Sequence, residues 1–197
     1  MPRKTSSQVI IISVAYGVLL AIAILWAWLR GDRPLFELPG AIQPAWSALI
    51  GTAAGLLVAL LSQISVSLFA WARRLEEEFA RILGPLTMFE VVLLALLSGV
   101  AEEAFFRGAM QPTLGFVLTS LIFGLLHIGP SKTYLPWTAM ALAMGFALGA
   151  MYLWTGTLIA PILCHFLINT INLRRIALKA QRQPPPPIDI KTPPPSV

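Results

Sequence analysis

The sequence predicts an all-α, polytopic transmembrane bundle of about six spans with one amphipathic helix lying in the interface. Three observations predict it. Of the 197 residues, 57% are hydrophobic and 12% charged, with a mean hydropathy of +0.77. A soluble domain carries about 25% charged residues. The apolar residues are gathered into long runs, and the basic residues stand at the ends of those runs. A net charge of +5 distributed in this way suits membrane topology and gives no nucleic-acid surface.

The first run, residues 9–29, follows Arg3 and Lys4. It is longer than the apolar core of a cleavable signal and reads as a retained anchor. A second run covers residues 45–70. Residues 71–83 have a different texture, with Leu75, Phe79 and Ile82 at helical spacing among Arg73, Arg74, Glu76, Glu77, Glu78 and Arg81. That pattern predicts an amphipathic helix at the interface. Its acidic triplet reads as a salt-bridged face, with Arg74–Glu78 and Glu77–Arg81 at i,i+4, and not as a metal site.

Further apolar runs follow at 86–106, 114–128, 137–154 and 158–173. Helices are the default for all of them, because a spanning segment must satisfy its own backbone hydrogen bonds. The run at 114–128 is short for an upright span of a hydrocarbon core about 30 Å thick. It predicts a tilted or re-entrant segment, or a thinned bilayer. After Arg182 the prolines at 184–187 and 193–195 exclude helix and sheet interior. The chain thus divides into an amino-terminal part (1–85), a core (86–173) and a basic, proline-rich tail (174–197) read as disordered.

Counting Lys and Arg places both termini in the cytoplasm, with Arg30, Arg33 and Arg107 on the far side. The expected location is the plasma (inner) membrane. Gly51–Gly55 and Gly145–Gly149 have the small-xxx-small spacing that lets membrane helices approach, and are read as packing this bundle. Cys164 is the one cysteine, which excludes an internal disulfide and suits a small buried apolar role.

Ionisable groups inside apolar runs each cost on the order of 3 kcal/mol and need a reason. Glu90 stands three residues after Thr87 and reads as half of a capping box. Glu102, Glu103 and Arg107 lie at the end of the same run. Glu103 and Arg107 share a helical face and can pair, while Glu102 points about 100° away. An arginine-held carboxylate beside a free one is either a general-base arrangement or an ion cluster that fixes helix packing. The two histidines of the chain, His127 and His165, both fall in apolar runs, and Asn169 stands one turn beyond His165. Two donors on one face suit a developing oxyanion.

At these residues the sequence resembles the CAAX protease and bacteriocin-processing family (CPBP, or Abi) of intramembrane endopeptidases. Its signatures Glu-Glu-x-x-x-Arg, Phe-x-x-x-His and His-x-x-x-Asn match Glu102-Glu103…Arg107, Phe123…His127 and His165…Asn169, in that order, over roughly 86–173. The resemblance implies a glutamic-type peptide hydrolase without cofactor or catalytic metal. In it Glu102 and His127 activate water, His165 and Asn169 bind the oxyanion, and Glu103 and Arg107 support the site. The implied partners are the bilayer and a membrane-associated protein or peptide cleaved near its carboxy terminus, including proteins with a carboxy-terminal anchor. Two alternatives stand beside it. One is a metal-dependent membrane protease built on Glu102, His127 and His165; the other is a non-catalytic immunity or scaffold protein. From the helix register of Arg107 and Ile159, the site is expected to open away from the cytoplasm.

Overall fold

The protein is described by a computed structural model covering residues 7–31, 38 and 40–182. Arg3, Lys4, Arg33, Lys191 and the proline runs lie outside the described residues. Every element among the described residues is helical. The chain runs α1 (Ser7–Arg30), α2 (Pro44–Leu68), α3 (Ala70–Leu83) and α4 (Met88–Glu103). A π-helical segment (Ala104–Met110) and α5 (Gln111–Leu114) continue α4. Then come α6 (Phe116–Leu125), a 3-10 turn (Lys132–Tyr134), α7 (Leu135–Thr155) and α8 (Ile159–Arg182).

Local chemistry sets these boundaries. Pro44 and Pro136 open α2 and α7, where a missing N–H costs nothing. Thr87 and Glu90 form a complete capping box at α4: the Thr87 hydroxyl accepts from the Glu90 N–H at 3.2 Å, and Glu90 accepts the Thr87 N–H at 2.8 Å. Extended backbone at Phe69 separates α2 from α3. Gly84, at φ 65°, lets the chain turn so that α3 meets the helix after it at 104°. The amphipathic helix expected at residues 71–83 is therefore present as a separate element, turned sharply from the helix after it. Its charges pair differently from the i,i+4 expectation. Glu78 binds Arg81 at 2.8 Å, while Glu76 reaches Arg175 at 3.1 Å and Lys179 at 3.2 Å on α8.

The count of about six spans is corrected. Among the described residues, three helices are long and apolar enough to cross a membrane: Ser7–Arg30, Pro44–Leu68 and Lys132–Thr155. The number rises to four if α3 with Met88–Leu114 is taken as one broken span. With 10 residues, α6 is only about 15 Å long. The last helix, α8, runs on through Arg174, Arg175 and Lys179 to Arg182, so residues 174–182, assigned to the tail by the sequence, are helical. What stands is an all-α membrane bundle whose outer faces carry Ile10, Ile11, Val18, Leu25, Leu57 and Leu61.

The packing is ordered along the bundle. Val9, Leu86, Val91, Leu94 and Ala177 cluster near one end, and Ala23, Ala104, Ala109, Tyr152 and Leu158 near the other. Hence α1 runs parallel to α4 and antiparallel to α8. The latter packs against α2, α3, α4 and α7 and is the central element. Both glycine pairs act within the chain. A Cβ on Gly51 would lie 2.3 Å from the Ala160 carbonyl oxygen, and one on Gly55 2.9 Å from that of Cys164, so α2 and α8 touch backbone to backbone. One on Gly145 would lie 2.7 Å from the Ser120 oxygen, where α7 meets α6.

Gly51→Ala is expected to destabilise the bundle by about 1–3 kcal/mol, read as a lower thermal midpoint in detergent. Because the obstacle is backbone, adding Ala160→Gly should not restore it. Gly17→Ala, which meets nothing within 4 Å, should be neutral or stabilising.

Candidate active site

Four elements bring the polar residues together. Glu102 and Glu103 end α4, and Arg107 stands in the π-helical segment that follows, where the Gln111 N–H bonds the Phe106 carbonyl five residues back. A π turn places residues differently around the axis from an α turn, and such turns recur at functional positions. Here Glu103 still meets Arg107, at 3.1 Å, with both side chains essentially inaccessible (0% and 1%). The Arg107 guanidinium also donates to the Gly145 carbonyl at 3.1 Å and lies 4.5 Å from the centre of the Phe123 ring. Gly145 thus leaves both room for α6 and a carbonyl for the arginine.

Oε1 of Glu103 accepts a second bond, 2.7 Å from Nδ1 of His165 on α8. If that carboxylate is ionised, Nδ1 carries the proton. His165 can then donate from Nε2 only as an imidazolium. One turn on, the Asn169 amide donates to the Ser98 hydroxyl at 2.8 Å, and Ser98 donates to the Ala95 carbonyl at 3.1 Å. The second Asn169 N–H is left for another acceptor.

His127 reaches the site because α6 is short. Phe123 stacks edge-on with Phe106 at 4.9 Å, and His127 lies one turn further toward the α3 end, level with Glu102. In a continuous upright span His127 would fall near the other end of its helix from Glu102; because α6 stops after Leu125, it lies beside Glu102 instead. Its Nδ1 is 2.7 Å from the Phe123 carbonyl oxygen, which only accepts, so Nδ1 holds a proton. In the neutral ring Nε2 is then an acceptor. It lies 3.9 Å from Oε2 of Glu102, a buried oxygen with no hydrogen-bond partner among the described residues. The Thr138 hydroxyl donates to the His127 carbonyl at 2.8 Å, and Trp137 packs on the imidazole with ring centres 5.2 Å apart.

Two adjoining cavities meet here among the described residues. The smaller, about 140 Å³, is lined by His127, His165 and Asn169 with Phe123, Trp137 and Leu148. The larger, about 330 Å³, holds Tyr16, Ser98 and Asn169 at its inner end and continues between Ile12, Phe79 and Ile176. Ser62, Trp137, Met140, Asn169 and Asn172 border both. The larger cavity has a definite direction. It extends toward α3 and the basic end of α8, the end that carries Arg73, Arg74, Arg175 and Lys179, while the opposite end is closed by the cluster around Tyr152 and Leu158.

Glu103, Arg107 and His165 are thus joined directly, Glu102 faces His127, and Asn169 joins His127 and His165 at the smaller cavity. Cys164 is buried beside them. Among the described residues no group of three or more His, Cys, Asp or Glu side chains is placed to hold a metal ion. Sequence reasoning missed Tyr16, whose hydroxyl donates to Oε1 of Glu102 at 3.1 Å, and also Ser98 and Ser62. A polar atom inside an otherwise apolar run was the one available signal. It says nothing of which neighbour the atom meets.

Residues 84–171 match the family model described as type II CAAX prenyl endopeptidase Rce1-like. A relative from Bacillus subtilis (strain 168), the uncharacterized protein YpbD, is 38% identical over 93 residues, which are 47% of this chain and 49% of the relative. The chain therefore spans about half the length of that relative. No solved structure matches.

Breaking a buried ion pair strands a charge. Arg107→Ala should cost about 3–5 kcal/mol of stability, measured by denaturant unfolding in detergent. Adding Glu103→Gln removes the stranded carboxylate and should recover part of that loss.

Proposed function

We propose that the chain, whose residues 84–171 are of the Rce1-like CAAX endopeptidase type, is an intramembrane endopeptidase that cleaves a membrane-associated protein near its carboxy terminus with water activated by Glu102 and His127. The observation that carries this reading is the pair of acceptors facing each other across 3.9 Å: Oε2 of Glu102 and Nε2 of His127. A water at ordinary hydrogen-bond distance, about 2.8 Å, from both would give each acceptor one of its protons. Its lone pair then faces away from them, available for attack.

In this reading the water oxygen bonds to the carbonyl carbon as one proton passes to the Glu102–His127 pair. The carbonyl oxygen becomes an oxyanion and accepts from His165 Nε2–H and the free Asn169 N–H. Collapse breaks the C–N bond, and the proton held by the pair passes to the leaving amine. Glu103 and Arg107 do not touch the reacting atoms. Glu103 keeps His165 oriented by accepting from its Nδ1, and Arg107 offsets the second buried carboxylate. With Glu102, Glu103, Arg107 and His165 all ionised the cluster is neutral overall, which limits the cost of holding it in a dry site.

The direction of the larger cavity, toward the basic end, supports an approach of the substrate from that end, in place of the outward opening expected from the sequence. With the positive residues in the cytoplasm, the cleaved segment enters from the cytoplasmic face, beneath α3. The plasma (inner) membrane is the location this reading proposes. A cysteine placed at Leu83 in a Cys164→Ser background should be labelled from the cytoplasmic face; labelling solely from the other face would overturn the orientation.

The decisive experiment uses purified protein in lipid with a membrane-anchored peptide carrying an apolar carboxy-terminal tail. Glu102→Gln should keep the fold and lower cleavage by about 100-fold or more, and His127→Ala should do likewise. Chelators should leave the rate unchanged. Abolition by a chelator with recovery on adding zinc would favour the metal-dependent alternative, and full biological activity in the Glu102→Gln variant would favour a scaffold.

A further inference from the structure

We propose that Tyr16 of α1, outside the segment that matches the family, is the positioning residue that sets the Glu102 carboxylate for reaction; the role rests on the endopeptidase reading. The inner face of α1 is Val9, Ile12, Tyr16, Leu20, Ala23 and Ala27, spaced by three and four, and its members are buried or packed on the core. Tyr16 is the tyrosine of that face. Its hydroxyl donates to Oε1 of Glu102 at 3.1 Å, and among the described residues no other hydrogen bond reaches that side chain.

The consequence is geometric. A helix fixes Cβ of a glutamate but leaves its last torsion broad and roughly two-fold. Glu103 is held twice, by Arg107 and by His165. Glu102 is held once, by the phenol. Occupying Oε1 turns Oε2 toward Nε2 of His127 and keeps it there. The phenol comes from a helix packed along α4 and the π-helical segment, so the donor is itself rigidly placed. It also lines the larger cavity beside Ser98 and Asn169, where a water and a peptide would lie. The matched segment alone therefore lacks a part of the site, and the amino-terminal helix supplies it.

Tyr16→Phe keeps the ring and removes the donor. In the full chain, assayed with the anchored peptide, kcat should fall about tenfold with KM within about twofold, the size of one hydrogen bond to a charged group. An unchanged kcat would overturn the proposal. A second measurement does not need activity. In protein labelled with ¹³C-glutamate, the infrared carboxyl band should shift on Tyr16→Phe, and the shift should vanish when the same change is made in Glu102→Gln. No shift, or the same shift in both backgrounds, would overturn the proposal. A wild type that cleaves nothing would sink the endopeptidase reading alone, since the infrared comparison would still decide whether Tyr16 holds Glu102.

Discussion

A single buried carboxylate organises the centre of this protein. Glu103 has no exposed surface, yet its Oε1 accepts from Arg107 and from His165, and so ties the π-helical segment to α8 across the bundle. A charge in that position is tolerable only with partners, because desolvating it alone costs several kcal/mol. The pairing therefore constrains everything around it. Helix α8 must lie where His165 reaches, and α7 must bring the Gly145 carbonyl to the arginine. Phe123 must lie against the guanidinium. Those demands are met by small residues, since Gly51, Gly55 and Gly145 allow backbones to approach to distances that no Cβ would permit.

Irregularity supplies the remainder of the site. A continuous, upright set of spans would hold Glu102 and His127 at different heights. Instead α6 stops after Leu125, and its last turn leaves His127 level with Glu102. The sharp turn at Gly84 and the extended residue Phe69 free α3 to lie across the bundle, where Phe79 packs on Tyr134 and Trp137. Beneath it lies the larger cavity, latched at its rim by Glu76 with Arg175 and Lys179. The elements that look least like membrane spans are those that make room for the cavities. Regular helices, by contrast, give the outer faces and the depth.

Much of the candidate site was legible in the residues themselves. Glu102, Glu103, Arg107, His127, His165 and Asn169 stand out because an ionisable or amide group in an apolar run is costly, and their spacing places partners on shared faces. The Thr87–Glu90 cap was legible for a local reason: both members lie within one turn. The same reasoning passed over Tyr16 and Ser98, because a hydroxyl in an apolar helix is cheap, and its presence in the run does not say which distant carboxylate or amide lies against it. Nor could it see that the acidic triplet of α3 would be divided, with Glu78 answering Arg81 on its own helix and Glu76 answering α8.

By itself the sequence determined the class of fold and the membrane environment, since composition and run length act through water and lipid alone. It also determined which side chains are too costly to be idle. Only the tertiary structure decided how many helices are long enough to cross and which end the cavity faces. It alone decided which oxygen of Glu102 meets which nitrogen of His127. The reason is physical: run length reports hydrophobicity summed along the chain, whereas helix breaks, bends and side-chain rotations are settled by contacts between residues far apart in it.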